Sequence, residues 1–265
     1  MTAKAVNFDA IAKPYRWLEY LTLGPLLQRC RTHFLPALLD RRSALLFGDG
    51  DGRFLTELLR ANATLQAEAV DTSAAMLELL RHNCGRSADR LQTYQDDARA
   101  FIPSGHYDLI VTNFFLDCLT QPELDDFIRR IASSLSPESL WLVSDFRIPD
   151  GLLGLPARLF IRTLYFAFRI LTGLRTTRLP DHRTPLHAAG LQLVARHTSL
   201  FGILITEIWQ LPAHEAHLSS MALPSANPDL HDRPPDPIPD PEPIPPSLDE
   251  PDPGVYHHDP APPAH

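Results

Sequence analysis

The sequence has few cysteines and no recognisable cysteine motif. Its three cysteines, Cys30, Cys84 and Cys118, form no C-x-x-C pair, and none neighbours a motif that would make it a nucleophile. No signal peptide precedes them, so we expect a reduced, cytoplasmic setting in which they are small, semi-buried thiols. The sequence also offers no metal-ligand pattern; the His257–His258 pair lacks further ligands, and we expect no metal site.

Outside the C-terminal tail, the sequence has no excess of acidic or basic residues. Of the 32 acidic and 24 basic residues, residues 212–265 hold ten acids and one base, so the tail carries −9 and the preceding 211 residues carry +1. A nearly neutral folded part gives no argument for a nucleic-acid partner. The tail also holds 16 of the 26 prolines and almost no large apolar residues, which predicts a disordered, acidic, proline-rich segment whose partner is unknown.

A long uninterrupted hydrophobic run is lacking as well. The segment 152–171 is strongly apolar, but Pro156 and the arginines Arg158, Arg162 and Arg169 interrupt it and exclude a bilayer span. Three interpretations stay open: a buried core helix, a lid over a hydrophobic acceptor pocket, or a helix in peripheral contact with a membrane surface. We predict a helical insertion over residues 147–185.

What the sequence does contain is a strand, a glycine turn and a helix start in direct succession. The apolar run 44–47 leads into Gly48, Gly50 and Gly52, and helical spacing begins at Phe54. Glycine accepts the positive φ of such a turn and places no Cβ in the way of a ligand, and a helix start offers N–H groups.

The spacing of the glycines indicates which ligand the turn holds. A dinucleotide-binding fold requires G-x-G-x-x-G, and Arg53 stands where its third glycine would be. The observed G-x-G-x-G resembles the first loop of the class I S-adenosylmethionine (SAM) methyltransferases. These proteins usually carry an acid two residues before the first glycine, where this chain has Leu46; the resemblance leaves Asp49, inside the loop, as a substitute ligand for the methionine amino group.

Further residues extend the resemblance over about 200 residues. Asp71 ends the next predicted strand, where a carboxylate can accept hydrogen bonds from both ribose hydroxyls, and Val-Asp-Thr-Ser-Ala-Ala-Met-Leu (70–77) closely resembles the second-strand signature of that family. The resemblance implies that the following residues also contact the cofactor: Thr72 and Met76 after Asp71, Asp97 and Ala98 at the adenine, and Asn113 and Phe114 near the reacting methyl group.

The N-terminal residues are helical in pattern and rich in aromatics. The order of Phe8, Pro14, Tyr15, Tyr20 and Gly24 is similar to the start of the quinone-biosynthesis C-methyltransferases. That resemblance implies a helical cap over residues 1–40, with Tyr15 and Tyr20 covering SAM.

The alternation of strands and helices at intervals of about 20–35 residues predicts right-handed crossovers and a doubly wound, mostly parallel sheet. We expect seven strands with the last one antiparallel, in a SAM-binding domain spanning residues 1–211. Strands are predicted at 91–95, 107–113 and 139–146, and helices at 122–135 and 184–189.

The expected activity is methyl transfer to a small, apolar or aromatic molecule. Amino-methyltransferases acting on DNA bases and on protein glutamine carry Asn/Asp-Pro-Pro-Tyr where this chain has Asn-Phe-Phe-Leu (113–116). An acceptor that must lose a proton needs a general base, and the candidates are Asp117, Asp145, Tyr165 and His182. The alternative is a catalytically silent SAM-binding protein that acts as an interaction module; a nicotinamide oxidoreductase is disfavoured by Arg53.

Overall fold

The structure, a computed structural model, describes residues 24–149, 151, 154–161, 163 and 179–213. The strands of this part of the chain are β1 (Ser43–Phe47), β2 (Gln66–Asp71), β3 (Leu91–Gln95), β4 (Tyr107–Asn113), β5 (Leu135–Phe146), β6 (Gln192–Ser199) and β7 (Leu204–Gln210). Its α-helices are α1 (Gly24–Thr32), α2 (Arg53–Ala61), α3 (Ala74–Cys84), α4 (Gln121–Ala132) and α5 (Arg183–Ala188). Residues 154–161, between β5 and α5, are also helical.

The strands form one sheet in the order β3-β2-β1-β4-β5-β7-β6. Neighbouring strands are parallel in the pairs β3–β2, β2–β1, β1–β4 and β4–β5, and β7 runs antiparallel to both β5 and β6. This confirms the predicted seven-stranded, mostly parallel sheet with an antiparallel last strand. The chain reverses its direction of travel across the sheet between β1 and β4, which is where such folds bind ligands, outside the carboxyl ends of the strands.

Apolar residues cover both faces of the central strands, as the nearly continuous apolar runs of β1 and β4 require. Helices α2 and α3 pack on one face, and α4 and α5 on the other. The first core includes Leu46, Val111 and Leu142 with Phe54, Leu55, Leu58, Leu59 and Leu80. The second includes Phe47, Ile110 and Trp141 with Leu124, Phe127, Ile128, Ile131 and Leu186.

A third, smaller apolar cluster lies at the carboxyl end of the sheet. It joins Leu27 and Cys30 of α1 to Phe146 of β5, Ile161 of the 154–161 helix and Leu204 of β7, and Phe114 packs against it. Helix α1 and the 154–161 helix are therefore held at the edge where a ligand would bind.

The element boundaries differ from the prediction around residue 135 and at β6, which is predicted at 191–195 and extends to Ser199. Strands β3 and β4 have the predicted bounds, but α4 ends at Ala132 and β5 begins at Leu135, where the sequence predicts the end of a helix. The start of β5 pairs with Tyr107 across a register shift, and Glu138 has a φ of +60°. This irregular entry accommodates Ser136–Ser139, a run that reads as a loop in the sequence.

The predicted peripheral segments are only partly described. The structure includes residues 24–40 of the proposed cap, about half of the 147–185 insertion and two residues of the 212–265 tail. No helix among the described residues is long and apolar enough to cross a membrane.

Candidate functional site

The three glycines of the turn after β1 serve different purposes. All have positive φ, +74° at Gly48, +59° at Gly50 and +77° at Gly52. A Cβ on Gly48 would lie 2.6 Å from the Phe115 Cβ, and one on Gly52 would lie 2.7 Å from the Leu80 Cγ. A Cβ on Gly50 would meet no atom of the described residues within 4 Å. Packing therefore requires Gly48 and Gly52, whereas Gly50 leaves open space for a ligand.

Asp49, between the first two glycines, points into the protein. One of its carboxylate oxygens accepts from the Leu55 backbone N–H of α2 at 3.1 Å, and the other accepts from the Asn113 side-chain amide at 3.3 Å. Burial raises the pKa of Asp49 to about 7, against the opposing effect of the Arg31 charge and of these hydrogen bonds. The carboxylate is thus poised between its neutral and ionised forms at physiological pH.

Asn113 and Ser144 bring unpartnered oxygen atoms to the same place. They are register partners on the parallel strands β4 and β5, so their side chains share a face of the sheet. Both residues are 0% exposed, and neither the Asn113 Oδ1 nor the Ser144 Oγ has a hydrogen-bond partner among the described residues. A buried acceptor without a donor is costly, so these atoms suit a ligand that brings a donor.

Asp71 ends β2 at the same edge of the sheet as the glycine turn. Phe47 of β1 pairs with Val70, so the two parallel strands end side by side. One Asp71 carboxylate oxygen accepts from the Ser73 backbone N–H at 2.8 Å, and the Ser73 hydroxyl in turn accepts from the Met76 N–H at 3.2 Å. Ser73 is therefore the N-cap of α3, and its backbone N–H orients the Asp71 side chain.

Other residues predicted to contact the cofactor lie on either side of Asp71. Thr72 is half-buried and Met76 is buried, and Gln95, the register partner of Asp71, leads to Asp97 and the buried Ala98. Predicted residues from β1, β2, β3 and β4 are therefore brought to one edge.

Asp97 has a partner that the sequence analysis missed. Arg99 donates to both of its carboxylate oxygens, at 2.9 Å from Nε and 2.6 Å from Nη2, and also reaches Glu123 at 3.3 Å. The hydrogen bonds from Arg99 hold the pKa of Asp97 below its usual range. Any contact from Asp97 to an adenine amino group therefore shares its oxygens with Arg99, whose position two residues later was the available signal.

Phe114 continues from Asn113 in a strained conformation. Its φ is +50°, which is uncommon for a bulky residue, and its backbone N–H donates to the Ser144 carbonyl at 2.7 Å. Its ring centroid lies 5.2 Å from that of Phe146. The two rings form an aromatic wall at the end of β4 and β5.

Two of the predicted catalytic carboxylates, Asp117 and Asp145, lie together. Both are buried, and the Asp117 backbone N–H donates to Asp145 at 3.2 Å. Burial raises the pKa of Asp145 well above its ordinary range, and the charges of Asp117 and Glu207 raise it further. Both effects favour the neutral form of Asp145 over its carboxylate.

His182, a third candidate, is held by a buried glutamate that the sequence analysis did not single out. Its Nε2 lies 2.9 Å from Glu207 Oε2, and Glu207 also accepts from Arg196 at 2.7 Å and from Trp209 Nε1 at 2.9 Å. Burial acts to raise the pKa of Glu207, but His182, Arg196 and Trp209 together hold it at about 2. An acid in the otherwise apolar run 203–211 was the signal for this network.

The remaining predicted site residues lie outside the described part of the chain. These are Tyr15 and Tyr20, predicted to cover the cofactor, and Tyr165, a predicted catalytic candidate. Within the described residues, no group of three or more histidine, cysteine, aspartate or glutamate side chains could hold a metal ion.

Comparison with solved structures identifies the architecture. The mitomycin 7-O-methyltransferase MmcR aligns over 77% of this chain and 60% of its own with a TM-score of 0.59 and 19% identity. A family 2 O-methyltransferase of Planctomyces limnophilus in complex with apigenin gives 0.56 at 19% identity, covering 74% of this chain and 61% of its own. The N-methyltransferase NodS of Bradyrhizobium japonicum with S-adenosylhomocysteine gives 0.51 at 15% identity, covering 70% of this chain and 88% of its own. At such identities these likenesses show the fold.

Sequence comparison adds a family and a curated relative. Polyamine aminopropyltransferase 2 of Bacillus anthracis is 27% identical over 118 residues, which are 40% of this chain and 33% of that protein. The chain thus spans about a third of the length of this relative. Residues 44–138, which run from β1 into the start of β5, match the family described as a methyltransferase domain. Residues 44–138 are therefore similar to a methyltransferase domain, and the fold around them is one that solved methyltransferases share.

Proposed function

We propose that this protein transfers the methyl group of SAM to a small, apolar or aromatic molecule at the carboxyl end of its sheet. The observation that carries the proposal is the open space at Gly50 beside the unpartnered Asn113 Oδ1. A cradle without Cβ atoms next to a buried acceptor suits the methionine half of SAM, whose ammonium is a donor. The domain proposed for this activity spans residues 1–211, with the acidic tail outside it.

The residues around this cradle supply the other contacts that SAM requires. Asp71 would accept from the ribose hydroxyls, and Thr72 and Met76 would line the same pocket. Asp97 and Ala98 would hold the adenine, with Arg99 fixing the Asp97 carboxylate. Asp49 and Asn113 would bind the ammonium.

The acceptor site is proposed on the apolar surface beyond Phe114. The 154–161 helix buries Ala157 and Ile161 and leaves Leu155 76% exposed, Leu159 69% and Phe160 39%. Its buried side packs at the cluster that includes Phe146. This two-sided burial supports the lid and the membrane-surface interpretations over a core helix for the described residues, and the buried side next to Phe114 and Phe146 suits an apolar acceptor.

The chemistry divides between the cofactor and the chain. SAM supplies an electrophilic methyl group on its sulfonium, so the chain mainly holds the acceptor in line, and such positioning is worth roughly 7–11 kcal/mol. Where the acceptor must lose a proton, we assign Asp117 as the group that takes it, beside Asp145, whose burial favours its neutral form. His182 is the second candidate because Glu207 fixes its Nε2.

Two measurements test the proposal. Calorimetric titration with SAM should give a saturable Kd that Asp71→Ala weakens at least about tenfold, as expected for a charge-assisted hydrogen-bonded pair. Asp89→Ala, at an exposed aspartate, is the matched control and should bind like the wild type. Tritium from methyl-labelled SAM should then enter one of a panel of flavonoids, quinols and other aromatic acceptors.

The two measurements also separate the alternatives. Absence of SAM binding would overturn the proposal, as would transfer only to protein or nucleic acid. SAM binding without transfer to any acceptor in the panel or in a cell extract would favour the silent interaction module.

A further inference from the structure

The outer side of the 154–161 helix is apolar although it is exposed. Ala157 and Ile161 are buried, whereas Leu155 and Leu159, one helical turn apart, are exposed on the opposite side. Apolar side chains grouped in this way are unfavourable in water and indicate a surface that binds a partner.

A second exposed apolar side chain lies in the turn between β6 and β7. Phe201 is 78% exposed and has a φ of +55°, a conformation that is uncommon for a bulky residue. Because Leu204 of β7 pairs with Phe146 at the end of β5, this turn stands at the carboxyl end of the sheet. A strained backbone thus presents a phenylalanine to solvent at the same end as the 154–161 helix.

Pro149 connects the turn to the 154–161 helix. A Cβ on Gly202 would lie 3.3 Å from the Pro149 Cβ, and a Cβ on Gly154 would lie 2.8 Å from the Pro149 carbonyl oxygen. The exposed apolar side chains are therefore carried by neighbouring elements. Together they form what we call the carboxyl-end patch, which consists of Leu155, Arg158, Leu159, Phe160 and Phe201.

The charge in and around the carboxyl-end patch is positive. Arg158 is exposed among the apolar members of the patch, and residues 151–180 contain five arginines, no lysine and no acidic residue. The rest of the 1–211 region has 18 basic and 22 acidic residues. The positive charge of this region is therefore concentrated in the segment that carries the exposed leucines.

This combination of apolar and positive groups discriminates between the partners that could cover the patch. A second copy of the chain, docked patch to patch, would place Arg158 against the same positive charge. A nucleic acid would match the arginine but would leave the leucines without an apolar partner. A bilayer with anionic lipids offers an apolar interior for leucine and phenylalanine and negative headgroups for arginine.

We propose that the carboxyl-end patch binds the surface of an anionic lipid bilayer, with its leucine and phenylalanine side chains at the acyl boundary and Arg158 among the headgroups. The buried side of the same helix packs in the cluster that includes Phe146, beside the proposed acceptor site. An apolar molecule dissolved in the bilayer would therefore meet the protein at the end of the sheet that holds this site. The lipid contact itself does not depend on methyl transfer, so its test needs neither SAM nor an acceptor.

The test measures flotation of the full chain with phosphatidylcholine vesicles that contain or lack phosphatidylglycerol. Wild type should float with the anionic vesicles and much less with the neutral ones, and added salt should release part of it because salt screens the charges. Leu159→Ser should lower the partition coefficient on anionic vesicles at least about tenfold, as expected for a leucine that becomes buried. Phe201→Ser tests the second element and should have an effect of the same size. Arg158→Gln should lower the coefficient about fivefold, the contribution of one arginine at an anionic surface.

Two substitutions outside the patch are the matched controls. Ile102, in the loop before β4, is 75% exposed, and Arg60, in the last turn of α2, is also exposed. Ile102→Ser and Arg60→Gln should bind the vesicles like the wild type. All five variants should keep the wild-type melting temperature, since each changes an exposed side chain.

The other outcomes overturn the inference. They are no flotation of the wild type, an equal loss in Ile102→Ser and Leu159→Ser, and unchanged flotation of the three patch variants. Dimers in sedimentation velocity that Leu159→Ser dissociates would assign the patch to an interface between copies of the chain. A raised KM of Leu159→Ser for a water-soluble acceptor, with unchanged flotation, would assign the outer side of the helix to the acceptor site. Absence of SAM binding would overturn the proposed function and leave this inference standing.

Discussion

Asn113 donates its side-chain amide to Asp49 across 3.3 Å and so joins the end of β4 to the glycine turn after β1. The class I SAM methyltransferases, which the glycine turn resembles, usually carry an acid two residues before the first glycine. Here that residue is Leu46, which packs in the apolar core. This chain instead has a carboxylate inside the turn, at Asp49, and burial raises its pKa to about 7.

The first prediction follows from the pKa of about 7 at Asp49. An ammonium binds the ionised carboxylate, so SAM affinity should rise with pH up to about 7, below the range of about 7.7–8.0 in which an α-amino group itself loses its proton. Below pH 7 the ionised fraction of Asp49 falls about tenfold per pH unit, and the Kd for SAM should rise by the same factor. Calorimetric titrations between about pH 5.5 and 8.5 measure this, with the buffer ionisation heat subtracted.

The substitution Asp49→Asn is the control for this pH dependence. It should weaken SAM binding at pH 8 and give a nearly flat profile, because no titrating carboxylate remains at this position. Without SAM the sign reverses: the folded-state pKa lies above the ordinary value of 3.8, so stability should fall as pH rises from about 4 to 7. A wild-type profile as flat as that of Asp49→Asn would contradict the assignment.

The glycine turn gives a second prediction from two matched substitutions. Gly50→Ala meets no described atom and should cost only the positive-φ penalty, about 1–2 kcal/mol, while its Cβ fills the space proposed for SAM. Gly52→Ala carries the same penalty and a clash, since its Cβ would lie 2.7 Å from Leu80 Cγ and 3.1 Å from Leu80 Cα.

Urea unfolding and SAM titration separate these two glycines. Gly52→Ala should lose more stability than Gly50→Ala, and Gly50→Ala should lose SAM affinity out of proportion to its stability. If Gly50→Ala binds SAM like the wild type, the ligand does not occupy the space at that turn.

The sequence predicts best what depends on local patterns. The bounds of β4 are correct because a nearly continuous apolar run defines a buried strand. Strand β3 also has the predicted bounds, although its residues are polar or only half-buried. The start of β5 is wrong because Ser136–Ser139 has the composition of a loop, and only pairing with β4 makes it part of a strand.

Contacts between distant parts of the chain explain what the sequence did not reveal about the site. Arg31 lies over the Phe114 ring on a helix that Thr206 of β7 holds through Cys30, and Glu207 of β7 meets His182 at the start of α5. Neither partner lies close in sequence, so no spacing could indicate it. The residues at the strand ends were predictable because parallel strands place their carboxyl ends at one edge.

The Glu207 network gives a third prediction about stability. Glu207 is 0% exposed and accepts from His182, Arg196 and Trp209, so Glu207→Gln should lower the free energy of unfolding at pH 7 by about 3–5 kcal/mol. The exposed Glu78→Gln is the control and should change it little.

Acid unfolding tests the same network. Folding lowers the pKa of Glu207, whereas it raises that of Asp49, so the two groups affect stability in opposite directions as the pH changes. The pKa of Glu207 is about 2 in the folded protein against an ordinary value of 4.5, so its contribution is present above about pH 4.5 and is lost as pH falls towards 2. The difference in stability between wild type and Glu207→Gln should shrink over that range. A constant difference would mean that Glu207 is stabilising through its shape alone.

The last prediction concerns the pair Asp117 and Asp145 and uses the acceptor identified by tritium transfer. Asp117→Asn should lower kcat for a hydroxyl acceptor by about 10²–10⁴, the usual contribution of a general base, and leave the SAM Kd nearly unchanged. Asp145→Asn replaces a carboxyl group whose burial favours its neutral form and should retain much more activity. A thiolate acceptor, which has no proton to lose, should be methylated equally by all three proteins. If Asp117→Asn slows transfer to the thiolate as much as to the hydroxyl, Asp117 positions the acceptor and takes no proton, and His182 becomes the remaining described candidate for the base.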